Sequence, residues 1–426
     1  MNLFSLLAAT AAGFWAIRKD AATRPGVSGA IWIPTIWLAI LASRPFSLWF
    51  DLGGAATLEG SPLDRAVFFA LMTAACVMLA RRPVAWGEVA RHNWPLLLFY
   101  GYLLLSVCWA HSPLVSLRRW GKEAGNILIV LLILTERDPV QALRAVFVRC
   151  ACLLLPLSVV LIRYFPDLGR RYSQHSGGLE VTGVTTQKNA LGATVLVCAV
   201  VLLFDWLERR RSRGKQAESV PSLLLPGLLA LGLWLLAMSQ SRSSLLAFAV
   251  AALLLLSPRI PVVRGHLPRL LPLLAFGAVT LLLLESAFQW TRPAVAELGR
   301  EMTFTGRTEV WRELLALRTD PLIGTGFMSL WDDPAHRERL PEWVAFSAHN
   351  GYLEVYLAGG AIGVLLLGLL LGSTALRLHR ALARPTPWAV AGAAVFAAAL
   401  LANGAESHFA CMTPVGLLYL AAHLGS

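Results

Sequence analysis

Charge is scarce in this chain of 426 residues: Asp, Glu, Lys and Arg make up 15% of it, while 57% of its residues are hydrophobic. A soluble domain cannot hide that much apolar surface, so the composition points to a membrane protein. Motifs for nucleotide chemistry are missing too. No P-loop and no soluble nucleotide domain occurs, which leaves ATP or nucleotide-sugar use without support. Metal motifs are equally absent. The loops contain no D-x-D and no H-E-x-x-H, and Asp332, Asp333 and His336 form a loose group that reads as solvated loop, so neither a metal nor an organic cofactor is expected. The six cysteines, Cys76, Cys108, Cys150, Cys152, Cys198 and Cys411, make no C-x-x-C pattern. They read as small core hydrophobes rather than disulfide partners. The apolar runs also lack the period-2 alternation of a membrane barrel.

What the sequence has is apolar runs from end to end. Candidate spans lie near 2–17, 30–43, 66–80, 94–110, 125–135, 146–163, 189–206, 222–238, 244–257, 270–288, 349–374 and 388–403, with a shorter segment at 414–424. The fold class is therefore all-α, a polytopic transmembrane bundle of twelve or thirteen spans, with 1–426 as one integral membrane domain. Several runs are shorter than the roughly 20 residues a bilayer needs, so these must extend into their flanks or be broken. Met1 to Ile17 has no basic region ahead of it and reads as a first span, not a signal peptide.

Short loops rich in Lys and Arg stay in the cytoplasm, and the densest basic run is ERRRSRGK, Glu208 to Lys215. Counting from there puts loops near 18–29, 81–93, 258–269 and 375–387 inside as well. Segments 111–124, 164–188, 239–243 and the long 289–348 loop, which should carry short helices, then face outward. Outer loops should be poor in positive charge. These hold Arg118, Arg119, Lys122, Arg170, Arg171, Lys188, Arg242 and Arg307. Exported loops tolerate some arginine in a chain of net charge +12, but eight cations favour convergence on an anionic ligand, since guanidinium binds phosphate in bidentate fashion.

Arg242 stands in MSQSRSSLLAF, where about four polar residues separate two apolar runs. It must lie at the membrane boundary or in a cavity, either binding an anion or snorkelling to headgroups. Ser241, Ser243 and Ser244 are candidate caps for the helix that follows, whose free amides would add to anion binding. In TGVTTQKNALGATVL, Lys188 and Asn189 open another run, as ligand and cap or as a snorkelling lysine beside its cap. The segment FTGRTEVWRELLALRTDPLIGTGF predicts a helix from Arg307 or Thr308 to Leu317, stopped by Asp320 and Pro321. Its uneven stripe, Val310, Trp311, Leu314, Leu315 and Leu317, could lie on the bilayer or roof a cavity. The G-T-G that follows is more readily a tight turn than a phosphate cradle. His349, in SAHNGYLEVYLAGGAIGVLLL, stands where the loop re-enters the membrane. Histidine is the side chain that accepts a proton near neutral pH, and cations nearby would keep it neutral and basic. Asn350 and Tyr352 are candidates to orient it. Glu354 and Glu406 are candidate carboxylate partners, because an intramembrane glutamate must be paired.

Taken in order, TGVTTQKNALG, SQSRSSLLAF, TGRTEVWRELL, DPLIGTGF, AHNGYLEVYLAGGAIG and NGAES resemble the O-antigen ligase and polymerase superfamily of bacterial inner-membrane, lipid-linked glycan transferases. The resemblance covers 182–407 most clearly, and HSPLVSLRRWGKEAGNILIVLL looks like that family's periplasmic basic turn. It implies a donor glycan on undecaprenyl diphosphate, bound by Arg242 and Arg307 with Lys188, Arg118 and Arg119 in support. His349 would activate the acceptor hydroxyl, with Asn350, Tyr352, Glu406 and Ser241 supporting. The implied reaction is inverting and metal-independent, on the periplasmic side of the inner membrane, with no nucleic acid partner. A ligase would use lipid A-core as acceptor in lipopolysaccharide biosynthesis. A polymerase would use another lipid-linked repeat, and TTQKNALG resembles the exopolysaccharide-type polymerases. A flippase, whose arginines line a path without chemistry, is the alternative of another class; no inverted repeat supports it.

Overall fold

Helix starts in this chain repeat one device. Ser61, Asp138, Thr386 and Thr413 each precede a proline, and each side chain accepts an amide hydrogen from the turn that follows. Proline at the first helical position loses no bond there, and the cap satisfies an amide that otherwise has no partner. The computed structural model describes residues 2–50, 61–172, 177–212, 223–260, 266, 307–317, 319–340 and 347–426. Its longer helices are α1 (Asn2–Ala22), α2 (Trp32–Leu41), α3 (Pro62–Ala80), α4 (Trp94–Leu105), α5 (Pro113–Leu134) and α6 (Pro139–Tyr164). Then come α7 (Lys188–Ser212), α8 (Leu224–Met238), α9 (Arg242–Leu256), α10 (Arg307–Ala316), α11 (Gly351–Leu382), α12 (Pro387–Asn403) and α13 (Pro414–Leu424).

This is the helix set of a multi-pass membrane protein. Among the described residues, five helices are long and apolar enough to cross a bilayer, those beginning at Pro62, Pro139, Lys188, Arg242 and Gly351, and five apolar helices are shorter. A count of twelve or thirteen spans is not established by these helices, and the expected span 270–288 lies outside the described residues, as does 289–306. One small departure from all-α is an antiparallel ribbon, β1 (Arg170–Tyr172) with β2 (Leu179–Val181), inside a segment expected to be loop.

The chain packs as two compact units. The first comprises 1–93, 121–255 and 411–425. Here α6 and α7 are the enclosed centre: α1, α2 and α8 pack on α6, and α8 and α13 on α7. Gly13 lets α1 close on α6, since a side chain there would press on the Cys152 carbonyl. At one end a buried ionic cluster joins three segments. Arg24 binds Asp20 at 2.9 Å and Asp205 at 2.8 Å, Arg209 reaches both aspartates, and Arg144 also pairs with Asp205. Burial works against the Arg24 charge, but Asp205 and Asp20 outweigh it and hold its pKa above the usual value. Arg82 and the Ser28 hydroxyl close on Glu136 beside this network. The 18–29 segment, expected as an inner loop, thus meets the C-terminal turns of α7, while Arg82 of the 81–93 segment meets the end of α5 and Glu136. Removing one member of such a buried pair costs about 3–5 kcal/mol, because a charge is left unpaired.

At the other end of α7, Arg44 threads into the 164–188 segment. Its guanidinium donates to the carbonyls of Leu168 at 2.6 Å, Thr185 at 3.1 Å and Gly183 at 3.2 Å, fastening the ribbon's base to the helices.

The second unit comprises 94–120, 256–410 and Ser426. Its main feature is a break in α11. Gly360 has φ 60° and ψ −158°, outside any helix. In an intact helix the amides of 361 and 362 would bond to the carbonyls of 357 and 358. Instead, Ala361 donates to Pro321 O at 2.9 Å and Ile362 to Leu322 O at 3.1 Å. The freed carbonyls of Leu357 and Ala358 accept from Thr325 N at 2.9 Å and Gly326 N at 3.0 Å, and Tyr102 donates to Gly359 O at 2.8 Å. Two helix bonds are exchanged for four bonds to the inserted segment 321–326. A side chain on Gly360 would fall into the Leu322 carbonyl group, and one on Gly324 would lie 2.7 Å from Ala358 C. The glycines of G-T-G therefore serve close backbone packing. Backbone freed from a membrane helix is tolerated only where such partners exist.

Candidate functional site

The site begins at the corner that leads into α11. Asn350 caps that helix, its side-chain oxygen accepting from Tyr352 N at 3.0 Å and Leu353 N at 3.1 Å. His349 precedes the cap with φ 48°, a left-handed conformation that non-glycine residues seldom adopt. The corner is held at each peptide. Ala348 N donates to Glu354 Oε2 at 2.8 Å, Ala348 O accepts from Trp311 Nε1 at 2.8 Å, and His349 N donates to Ser347 Oγ at 3.1 Å. Gly351 N donates to Glu406 O at 3.1 Å.

The imidazole of His349 meets a carboxylate: Nδ1 lies 2.8 Å from Glu406 Oε2. An ionised carboxylate can only accept, so Nδ1 carries the proton and Nε2 keeps its lone pair. The histidine side chain is 33% exposed and the glutamate 15%, enough for a substrate hydroxyl to reach the ring. Glu406 is placed by the turn after α12. Asn403, fully buried, accepts from His408 N at 2.9 Å and Phe409 N at 2.8 Å and donates to Ala399 O at 2.7 Å. Gly351 must lack a side chain, because a Cβ there would occupy the Asn403 Oδ1 position. His408, two residues from Glu406, is a different kind of histidine. Burial pushes its pKa down to about 4, with Glu406 acting weakly the other way, and it stays neutral inside the protein.

Below the corner sits Glu354, buried, with Trp331 Nε1 donating to it at 2.6 Å. Beside Trp331, Asp332 takes a bidentate pair from Arg119, at 2.6 and 2.9 Å, and Arg119 also donates to Met328 O at 2.8 Å.

Several expectations are corrected by this geometry. Arg118 and Arg119 do not sit in a basic turn; α5 starts at Pro113, with Ser116 N bonded to Ser112 O, and both arginines are helical. Arg119 is engaged by Asp332, and a diphosphate would have to break that pair, whereas Arg118 is exposed. Asn350 and Tyr352 do not orient the His349 ring: Asn350 caps α11, and the Tyr352 hydroxyl donates to Leu400 O at 3.0 Å. Asp332, Asp333 and His336 are not free solvated groups, since Asp333 caps a short helix and pairs with His336. Among the described residues no group of three His, Cys, Asp or Glu is placed to hold a metal ion.

The remaining candidates divide between the units. Arg307 opens α10 in the unit of His349, and α10 buries Val310 and Leu314 while leaving Leu315 exposed, with Leu317 buried just past its end. Lys188, Ser241 and Arg242 belong to the first unit. Lys188 pairs with Glu180 of β2 at 2.8 Å. Ser241 is buried against Gly192, whose Cβ would sit 2.5 Å away, and its hydroxyl donates to Ser244 Oγ at 2.9 Å instead of capping an amide. Arg242 is exposed at the first position of α9. Trp331, Ser347, Asn403 and Ser407 were missed as parts of the site. NGAES held a signal for the last two, since polar residues between apolar runs must be satisfied somewhere.

Residues 227–368 match the O-antigen ligase family. That stretch holds Arg242, Arg307, His349 and Glu354, and stops before Glu406. A curated relative, the exopolysaccharide production protein ExoQ of Rhizobium meliloti (strain 1021), is 26% identical over 299 residues. The match covers 67% of this chain and 65% of the relative, slightly under two thirds of the latter's length.

Proposed function

Because the chain carries an O-antigen ligase family domain, we propose that it transfers a glycan from a lipid diphosphate donor, undecaprenyl diphosphate in a bacterial inner membrane, to an acceptor hydroxyl at the periplasmic face. The observation that carries this reading is the His349–Glu406 pair. A histidine with Nδ1 on a carboxylate and Nε2 open is a general base by construction. His349 Nε2 takes the acceptor proton as the oxygen attacks the anomeric carbon. The C–O bond to the diphosphate breaks on the opposite face, which inverts the configuration, and Glu406 stabilises the imidazolium that forms. Charge growing on the leaving diphosphate is met by cations. Arg307 and Arg118 are the candidates in the unit of His349, and Arg242 and Lys188 take the role by motif. Arg119 braces instead. Neither a metal nor a nucleotide enters the scheme.

The family resemblance suggests lipid A-core as acceptor, and so an O-antigen ligase. A second reading is favoured by the relative's name, which concerns exopolysaccharide production: the acceptor would be another lipid-linked glycan, making the chain a polymerase. The test is transfer by purified protein in EDTA, with undecaprenyl-diphosphate-linked glycan as donor and lipid A-core supplied or omitted, for wild type and His349→Ala. Transfer to lipid A-core that vanishes in the variant supports the ligase, and elongation without that acceptor supports the polymerase. Glycan translocation without transfer, unchanged by His349→Ala, would replace both with a flippase.

A further inference from the structure

We infer that Glu354 is the positioning residue for His349, an inference that rests on the general-base reading above. Its carboxylate touches no reacting atom. It is buried, yet its hydrogen-bonding donors are neutral: Trp331 Nε1 at 2.6 Å, Ala348 N at 2.8 Å and the Ser407 hydroxyl. A carboxylate so far from water and held without a cation in hydrogen-bonding contact is costly, and packing alone would be served as well by an apolar residue. What it holds accounts for it. Ala348 is buried, and the two peptides that flank it are each held, the 347–348 amide by Glu354 and the 348–349 carbonyl by Trp311. The next residue is His349 in its left-handed conformation. With those peptides held, the backbone leading into His349 is fixed, and Glu406 holds the ring.

The grip runs further back. Trp331, which meets Glu354 Oε1, adjoins Asp332, which Arg119 of α5 holds in bidentate contact. The ion pair, the indole and the buried carboxylate are consecutive links that end at the histidine. If Glu354 becomes an amide, one side-chain oxygen must serve two buried N–H donors, and one donor faces an NH₂ group. The 347–348 peptide then loses its carboxylate anchor, which loosens the backbone leading into His349 and weakens the contact of the imidazole with Glu406. The loss falls on the chemical step and not on the grip on the lipid-linked donor.

The test compares Glu354→Gln, Trp331→Phe, the double variant and His349→Ala in the transfer assay, with monodispersity confirming the fold. Glu354→Gln should lower kcat by about thirtyfold or more with KM for donor unchanged within about twofold, and Trp331→Phe by about tenfold, as expected for lost hydrogen bonds to a charged group. Both act through one carboxylate, so the double variant should be no slower than Glu354→Gln alone. Should Glu354→Gln fail to fold, Trp331→Phe decides: a wild-type kcat overturns the inference and a loss confined to kcat supports it. An inactive His349→Ala beside a fully active Glu354→Gln overturns this inference alone, as do multiplying losses or a change confined to KM. An active His349→Ala overturns the general-base reading, and this inference falls with it.

Discussion

Glu406→Gln is the sharpest probe of the dyad because it changes charge and proton placement with almost no change of shape. The Gly351–Glu406 contact is made by the backbone carbonyl at 3.1 Å, so the turn keeps its anchor in the variant. The side-chain bond at 2.8 Å to His349 Nδ1 is what changes. With its carbonyl toward Nδ1, Gln preserves the tautomer but loses the charge. A hydrogen bond to a charged group contributes about 1.5–3 kcal/mol against about 0.5–1.5 for a neutral one, so the imidazolium loses about 1–2 kcal/mol, or about five- to thirtyfold in rate. With its NH₂ toward Nδ1, Gln selects the opposite tautomer, and Nε2 carries a hydrogen where its lone pair is needed. The same exchange in a serine protease triad costs about 10⁴, which sets the upper limit. Initial rates of glycan transfer should therefore fall about a hundredfold in kcat, with KM for the lipid-linked donor unchanged. A Glu406→Gln enzyme at the wild-type rate would refute the dyad, as would a loss confined to KM.

Two stability predictions accompany it. Gly360→Ala should cost about 2–6 kcal/mol, from a backbone conformation that only glycine holds comfortably and from overlap with the Leu322 carbonyl, and should lower the thermal midpoint in detergent; an unshifted midpoint would contradict the interlock. His408 has a folded pKa of about 4 against 6.5 for the free side chain, so between those values the unfolded chain binds a proton that the folded protein refuses. Stability should fall as pH drops from about 6.5 towards 4, by roughly 3 kcal/mol at most. Unfolding midpoints of wild type and His408→Gln across that range should converge on the acid side if this is right and run parallel if it is wrong.

Apolar runs were legible wherever burial or lipid demands them, and α8, α12 and α13 begin and end close to where hydropathy puts them. Starts at α3, α5 and α6 came early because Ser61–Pro62, Ser112–Pro113 and Asp138–Pro139 set them, and hydropathy counts such residues as loop. The contact of His349 with Glu406 was legible as a candidate pair, His349 from its position and Glu406 from the need to satisfy an intramembrane carboxylate. The choice of Glu406 over Glu354 was not readable, because it depends on a turn whose geometry rests on Asn403 and Gly351, far apart in sequence. Arg119 shows the converse: a cation in an outer segment resembles a phosphate ligand until its carboxylate, Asp332, is brought up by a fold more than 200 residues long. The break in α11 also escaped notice. Gly359–Gly360 within an apolar run was its only local trace.

The exchange of hydrogen bonds between 321–326 and 357–362 also constrains how such proteins can be recombined. Neither stretch satisfies its own backbone, so each is correct only in the presence of the other. A chimera that swaps loops with a relative, in order to move acceptor preference from one glycan system to another, must keep both stretches from one parent. Cut points inside either would leave amides and carbonyls bare, whereas the backbone amides of 336–340 all bond within their own turn.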